Sequence, residues 1–335
     1  MTAPARRMPA EWEPHAATLM AWPTRRELWG PTWEAAQAEY AGVANAIAAY
    51  EPVVMVVTPE GAASARRRLT RGVELLEARI DDSWLRDSGP IVVRDERAER
   101  VGVHFTFNSW GGRYLPFDRD AAVAGPILEH LGIPRERSAM VLEGGAITVD
   151  GDGTLITTEQ CLLHPNRNPG MTRGQIEDEL RARLGVEAII WLPYGQADDR
   201  DTDGHVDGVA AYVRPGVVLA QTAPDPAHPD HERMRANIDV LHGARDARGR
   251  ALEVIEVPCF SAAEIQGTEL SVPYVNLYIA NGAVIVPLGL HPSDDDALAI
   301  IAAAFPDRDT IGVPANVIAY GGGGPHCITQ QVPAA

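Results

Sequence analysis

Short apolar runs and helix-spaced apolar stripes alternate along the chain in one recurring order. A glycine- or acid-marked entry leads into a strand, a hairpin turn and a second strand, followed by a polar loop and a helix. Gly89-Pro90 opens Ile91-Val92-Val93, and a charged turn joins this run to Val101 through Phe105. Glu143-Gly144-Gly145 opens Ile147-Thr148-Val149, and Asp150 to Gly153 turns the chain into Leu155-Ile156-Thr157. Gly204 to Gly208 opens Val209 through Val213, which returns at Pro215-Gly216 into Val217-Val218-Leu219. Val272-Pro273-Tyr274 opens Val275 through Ile279, and Asn281-Gly282 turns into Val284-Ile285-Val286. Asp-Gly and Asn-Gly are strong hairpin signals because both residues tolerate positive φ.

Helices are predicted between these hairpins. Thr172 and Gln175 form a capping box ahead of Ile176, Leu180 and Leu184, with Gly185 as the stop. Met234, Ile238 and Leu241 mark a second helix ended by Gly243, and Ser293 caps a third whose first turn holds Asp294 to Asp296. Trp33, Tyr40, Val43 and Ile47 face one way along an earlier one, and further apolar runs follow helices at Val53 to Val57 and Ala188 to Leu192. The unit is somewhat longer than ordinary solenoid repeats and mixes helix with strand. It therefore predicts α/β blades around one closed ring in a single domain, residues 1–335, with no composition break dividing it.

Composition narrows the function classes. The net charge is -17, from 29 basic and 46 acidic residues, which disfavours nucleic acid or an anionic membrane as partner. It suits a small cationic substrate, since acidic clefts concentrate cations. Three cysteines, Cys161, Cys259 and Cys327, are too few and too scattered for a disulfide framework and suit a reducing compartment. The start MTAPARRMPAEWEPH lacks the apolar run of a signal peptide, and no window reaches the ~20 apolar residues of a spanning helix. The expectation is a cytoplasmic protein, and a homo-oligomer is compatible with it.

The chemistry concentrates at the entries of the repeats. Gly321 to Gly324 precede Pro325-His326-Cys327, so a side-chain-free turn delivers a thiol near the tail. An isolated cysteine is usually a small buried hydrophobe, and Cys161 and Cys259 are read that way. Asp87 precedes the first hairpin, Glu143 opens the second, and His205 and Asp207 head the third, two apart. In an extended segment that spacing turns both side chains to one face. If equivalent entries converge on a common axis, these residues share one cleft with Cys327.

Three readings compete. Asp203-Gly204-His205-Val206-Asp207 fits a D-x-H-x-D pattern like one ligand segment of manganese ureohydrolases such as agmatinase, but the other ligand segments of a binuclear site are missing from the sequence. A non-enzymatic binder of cations or polyamines needs the carboxylates and Trp84 but no thiol. The third reading is a thiol hydrolase.

Six segments decide among them: DDSWLRDSGP (81–90), FNSWGGRY (107–114), LEGGAITVDGDGTLITTEQCLLHPNRNP (142–169), DTDGHVDG (201–208), VPYVNLYIANGAVIVP (272–287) and GGGGPHCITQQ (321–331). Together, from EWEPH near the start to the last residues, they closely resemble the agmatine deiminase family of the guanidine-modifying, or pentein, superfamily, which also holds bacterial-type peptidylarginine deiminases. The resemblance implies a five-bladed α/β propeller of ββαβ-type units with no metal and no organic cofactor. It implies agmatine as substrate, with arginine or peptidyl-arginine as the neighbouring alternatives. It makes Cys327 the nucleophile, His205 the general acid/base, Glu143 the partner orienting His205, and Asp87 and Asp207 the carboxylates that grip the guanidinium. It also sets Trp84 along the methylene chain and Asp201 near the distal ammonium. Asp203, Gly208 and Pro325 depart from the family pattern, where Asn, Asn and an aliphatic residue are common.

Overall fold

The computed structural model describes residues 6–199, 201–259, 261–265 and 267–335. The predicted hairpins form as antiparallel pairs: Ile91–Asp95 with Arg100–Thr106, Ile147–Val149 with Thr154–Thr158, Ala210–Arg214 with Val217–Thr222, and Tyr278–Ala280 with Ala283–Leu288. The second strand of each pair then accepts a parallel neighbour: Arg135–Val141, Ala188–Leu192, Glu253–Pro258 and Asp309–Pro314 respectively. Parallel neighbours require a crossover. Helices Ala124–His130, Arg173–Leu184, His231–Gly243 and Asp294–Ala304 supply it in each case.

A further sheet of this kind draws on both ends of the sequence. Thr329–Pro333 lies antiparallel to His15–Ala21, which pairs in parallel with Val53–Val57 after the helix Trp33–Ile47, and Val73–Glu77 extends that sheet. Its partners Gln330 and Leu19 meet across nearly the whole chain. A separate two-stranded hairpin, Ser261–Ile265 with Thr268–Ser271, completes the sheets of the described residues.

Local chemistry explains most boundaries. Thr172 and Gln175 form the reciprocal capping box, and Gly185 ends that helix in the left-handed region at φ 70°. Ser293 holds the N-cap position as expected but makes no side-chain cap bond: its hydroxyl pairs with His291 Nδ1 at 2.8 Å, while Asp294 accepts from the His291 and Gly289 N–H groups. Gly243 lies within its helix rather than after it. The helix Trp33–Ile47 buries Tyr40, Val43 and Ile47 against Met55, Tyr278 and Ile285, joining two neighbouring sheets through one apolar cluster. Among the described residues no helix is long and apolar enough to cross a membrane.

Two predicted strands give way to turns. Val275 to Leu277 is irregular, and the strand begins only at Tyr278. Val206–Gly208 is a 3-10 turn rather than extended chain, and the strand begins at Ala210. Both sit at the mouths of their sheets, where the site is built.

Candidate active site

Each of the five similar sheets presents the segment just ahead of an antiparallel strand, and those segments meet. Leu85–Ser88 carries Asp87 ahead of Ile91; Glu143 precedes Gly144–Ala146; His205 and Asp207 flank Val206; Asn276 lies in the turn before Tyr278; and Cys327 precedes Thr329.

The turn that holds His205 and Asp207 is fixed by a carboxylate and two unusual backbone positions. Asp199 Oδ2 accepts the N–H groups of Gly204 and His205, both at 3.1 Å. Asp203 adopts φ 62° and Gly204 φ 98°, a left-handed pair that Asp or Asn and Gly tolerate best. His205 and Asp207 therefore converge through a tight turn, not through strand alternation. Gly145 records how closely the groups approach: a Cβ there would lie 2.5 Å from His205 Nδ1, 2.9 Å from Asp87 Oδ1 and 3.0 Å from Asp207 Oδ2.

Cys327 meets this cluster directly. Its thiol donates to Asp207 Oδ2 at 3.4 Å and accepts from Asn276 Nδ2 at 3.2 Å. Asp87 is held by the Trp110 indole N–H and the Gly145 N–H, each at 3.0 Å, and its Oδ2 lies 3.8 Å from His205 Nδ1. Trp110 reaches it from a left-handed run in which Ser109, Trp110 and Gly111 all have positive φ, a conformation a tryptophan adopts only where its surroundings impose it. Trp84 packs on Trp29 and Tyr40, with Gly323 passing so near that a Cβ would stand 2.6 Å from its ring.

Burial sets the electrostatics. It pushes Asp87 up to about 6 despite the nearby imidazole of His205, with Asp207 and Glu143 adding to the rise. Burial and the charges of Asp207 and Asp87 push the Cys327 thiol well above its ordinary value. Burial works against the charged form of His205, yet Asp87, Cys161 and Asp207 together hold it well above the usual histidine range. Asp207 is also penalised by burial, but the hydrogen bond and charge of His326 keep it below the ordinary carboxylate value. At neutral pH the resting cluster therefore pairs a thiol with an imidazolium.

Glu143 is fully buried and bonded through Oε1 to Arg167 Nε at 2.6 Å, with no hydrogen bond from His205 to that oxygen. A donor atom of Glu143, of His205 and of Cys161 nonetheless lie within 4.8 Å of one another. Cys161, read from sequence as an apolar filler, is buried with its sulfur close to His205, which moderates the rise that burial imposes on the thiol. Arg167 places a permanent cation beside that trio, which disfavours a divalent ion there. Asp203, the first residue of the D-x-H-x-D pattern, is committed to Arg113 and to Arg167 Nη1, the latter at 2.9 Å, so it does not face a metal site with His205 and Asp207. Asp201 accepts from the Tyr114 hydroxyl, and its Oδ2 lies where a Cβ on Gly322 would stand 2.8 Å away.

A family model described as Porphyromonas-type peptidyl-arginine deiminase matches residues 7–333. The chain is 44% identical over 351 residues to the agmatine deiminase of Stutzerimonas stutzeri, covering 98% of this chain and 95% of that one. The chain belongs to the agmatine deiminase family. The agmatine deiminase of Pseudomonas aeruginosa strain LESB58 is 44% identical over 352 residues with the same coverage. A structure of the Enterococcus faecalis agmatine deiminase superposes with a TM-score of 0.93 at 36% identity, covering 98% of this chain and 96% of that one. Of the departures from the agmatine deiminase pattern, Asp203 is absorbed locally. Asp203 keeps the left-handed turn an Asn would keep and adds a charge that Arg113 and Arg167 neutralise.

Sequence reading missed Asn276, Trp110, Arg167, Glu11 and His326. Asn276 stood at the entry of the fourth hairpin, the one entry to which no chemistry was attached. Glu11 lay in EWEPH, where the resemblance begins, and His326 inside a matched segment, but nothing in either stretch alone says that they touch.

Proposed function

We propose that the chain hydrolyses the guanidinium of agmatine to N-carbamoylputrescine and ammonia through a covalent intermediate on Cys327. The observation that carries this reading is one cluster holding a half-buried thiol with a buried imidazole and two buried carboxylates, Cys327 Sγ lying 3.4 Å from Asp207 Oδ2 and His205 Nδ1 3.8 Å from Asp87 Oδ2. A guanidinium is planar, permanently cationic and rich in N–H donors, so Asp87 and Asp207 can hold its nitrogens and fix its plane. Its charge then favours the thiolate of Cys327. The thiolate adds to the central carbon, and His205 gives its proton to the departing ammonia, leaving an S-alkylthiouronium. The neutral imidazole next takes a proton from water, which adds to the same carbon and expels the thiolate with the ureido product. Glu143, held by Arg167 and making no hydrogen bond to His205, acts on this exchange through its charge close to the imidazole.

In this reading the five similar sheets are blades of a pentein propeller, residues 1–335 form one catalytic domain, and the enzyme works in the cytoplasm on a small guanidino substrate. Trp84 covers the methylene stem and Asp201 receives the distal ammonium. Support for agmatine over arginine comes from the nearby cations. Arg86 pairs with Glu11 and Arg113 with Asp203, so both are occupied by internal carboxylates. Incubation with agmatine, arginine and an arginyl peptide, followed by assays for ammonia, urea and ureido product, tests the proposal. Ammonia with N-carbamoylputrescine is expected; urea with putrescine, lost on chelation, overturns it.

A further inference from the structure

His326 precedes the nucleophile in sequence, and both side chains reach Asp207 Oδ2. Its Nδ1 lies 2.9 Å from Asp207 Oδ2, and its Nε2 lies 3.0 Å from Glu11 Oε2. Both partners are carboxylates, so both ring nitrogens must carry protons for the two bonds to form together. Glu11 is itself held: its Oε1 accepts the Ile279 N–H at 2.8 Å, and its Oε2 accepts from Arg86 Nη2 at 3.2 Å. Arg86 in turn donates to Gln331 Oε1 at 2.7 Å and through Nε to the His326 carbonyl at 3.2 Å. These side chains and Asp207 border a cavity of about 30 Å³ with room for a water.

We propose that Glu11 and His326 are positioning residues for guanidinium binding, an imidazolium clamped between two carboxylates that keeps Asp207 ionised and aimed at the substrate. The inference rests on the deiminase reading above. Two buried carboxylates near one another cannot both ionise freely, and one of them must rise. Here Asp87 takes the rise, to about 6, while Asp207 stays low. The difference lies in their partners. Asp87 has two neutral N–H donors and His205 at ion-pair distance; Asp207 has a direct bond to His326. Burial and Arg86 oppose the charge on His326, but Glu11 and Asp207 outweigh them and raise it above the usual histidine range. Burial likewise opposes the charge on Glu11, which His326 and Arg86 bring down to about 2. The groups facing His326 are thus Glu11 from the N-terminal segment, Arg86 from the Leu85–Ser88 turn and Asp207 from the Val206–Gly208 turn, with Asn276 accepting its backbone N–H.

Glu11→Gln tests the clamp with almost no change of shape. The new amide keeps the bond from Ile279 and turns its NH₂ to Nε2, which makes His326 neutral and leaves Asp207 beside Asp87 without its imidazolium. His326→Gln removes the ring altogether. In the wild type, kcat/KM for agmatine should fall as pH drops through ~6 with the slope of one proton, from Asp87. In either variant the fall should begin above pH ~7 with a slope approaching two protons, losing at least ~30-fold against wild type at pH 6 and under ~3-fold at pH 9. The loss should lie in KM, with kcat within ~3-fold. Parallel profiles for variant and wild type, or an equal loss at every pH in folded protein, overturn the proposal. Wild-type turnover of agmatine checks the deiminase reading by itself. NMR of the His326 ring in substrate-free wild type checks the clamp by itself: both ring N–H groups retained at pH 7.5 are expected, and a single neutral tautomer there refutes it even if the variants fail to fold.

Discussion

Cys327 carries a thiol that burial, Asp207 and Asp87 hold protonated in the free enzyme, so its reactivity depends on the cation that arrives. Cys327→Ser should lower turnover by at least ~10³-fold without changing the melting temperature, and a quenched wild-type reaction should show a mass adduct on Cys327. Cys161→Ser keeps a small polar side chain near His205 and should retain most activity, as should Cys259→Ser. Asp87 brings a pH dependence of its own. Its carboxyl, raised to about 6, is ionised above that value and neutral below it, so the grip on a guanidinium is present at pH 7.5 and is lost as pH falls through ~6. Agmatine binding to Cys327→Ser at pH 6 should therefore release about half a proton, read by calorimetry in buffers of different ionisation enthalpy; no buffer dependence would show that Asp87 is already charged. Asp201→Asn tests the far end of the substrate. The wild type should prefer agmatine over arginine by at least ~100-fold in kcat/KM, about 3 kcal/mol, and the variant should narrow that gap by losing agmatine. A neutral variant would move the selectivity elsewhere.

The entry segments are the elements on which the site depends, and their glycines are steric requirements. A Cβ on Gly323 would lie 2.6 Å from Trp84, 2.9 Å from Cys327 Cβ and 3.1 Å from its sulfur. Gly323→Ala should push the thiol away from Asp207, costing ~1–3 kcal/mol of stability and at least ~10²-fold in kcat, measured by denaturation and steady-state rates. How much of this was legible in the sequence differs by element. The hairpins were, because Asn281-Gly282 and Asp150 to Gly153 specify their turns locally. The positions of Asp87, Glu143, His205, Asp207 and Cys327 at entries were legible through their recurrence in the pattern. The extended conformation expected for His205 to Asp207 was wrong, because the Asp199 carboxylate imposes a turn. Asn276 was hidden for a similar reason: Val275 and Leu277 read as strand, whereas the chain spends them packing beneath a bend.

At the scale of the molecule, pairings between distant stretches were the least legible. No periodicity within Thr329–Pro333 names His15–Ala21 as its partner, nor does EWEPH announce that Glu11 will meet His326. Only resemblance over the whole length tied these ends to one family. Deleting residues 329–335 should strip the antiparallel neighbour from His15–Ala21 and abolish activity together with cooperative unfolding; a deletion that melts normally would mean the strand is dispensable.

That pairing has a consequence for how the catalyst comes into being. The nucleophile lies two residues ahead of Thr329–Pro333, whose partner strand His15–Ala21 stands far away in sequence, so the cluster cannot assemble until that long-range pair has closed. Chemical competence and completion of the fold then become a single event. Recovery of ammonia release during refolding should track the latest-forming contacts, reporting on the seam between head and tail with a sensitivity that bulk helix content lacks.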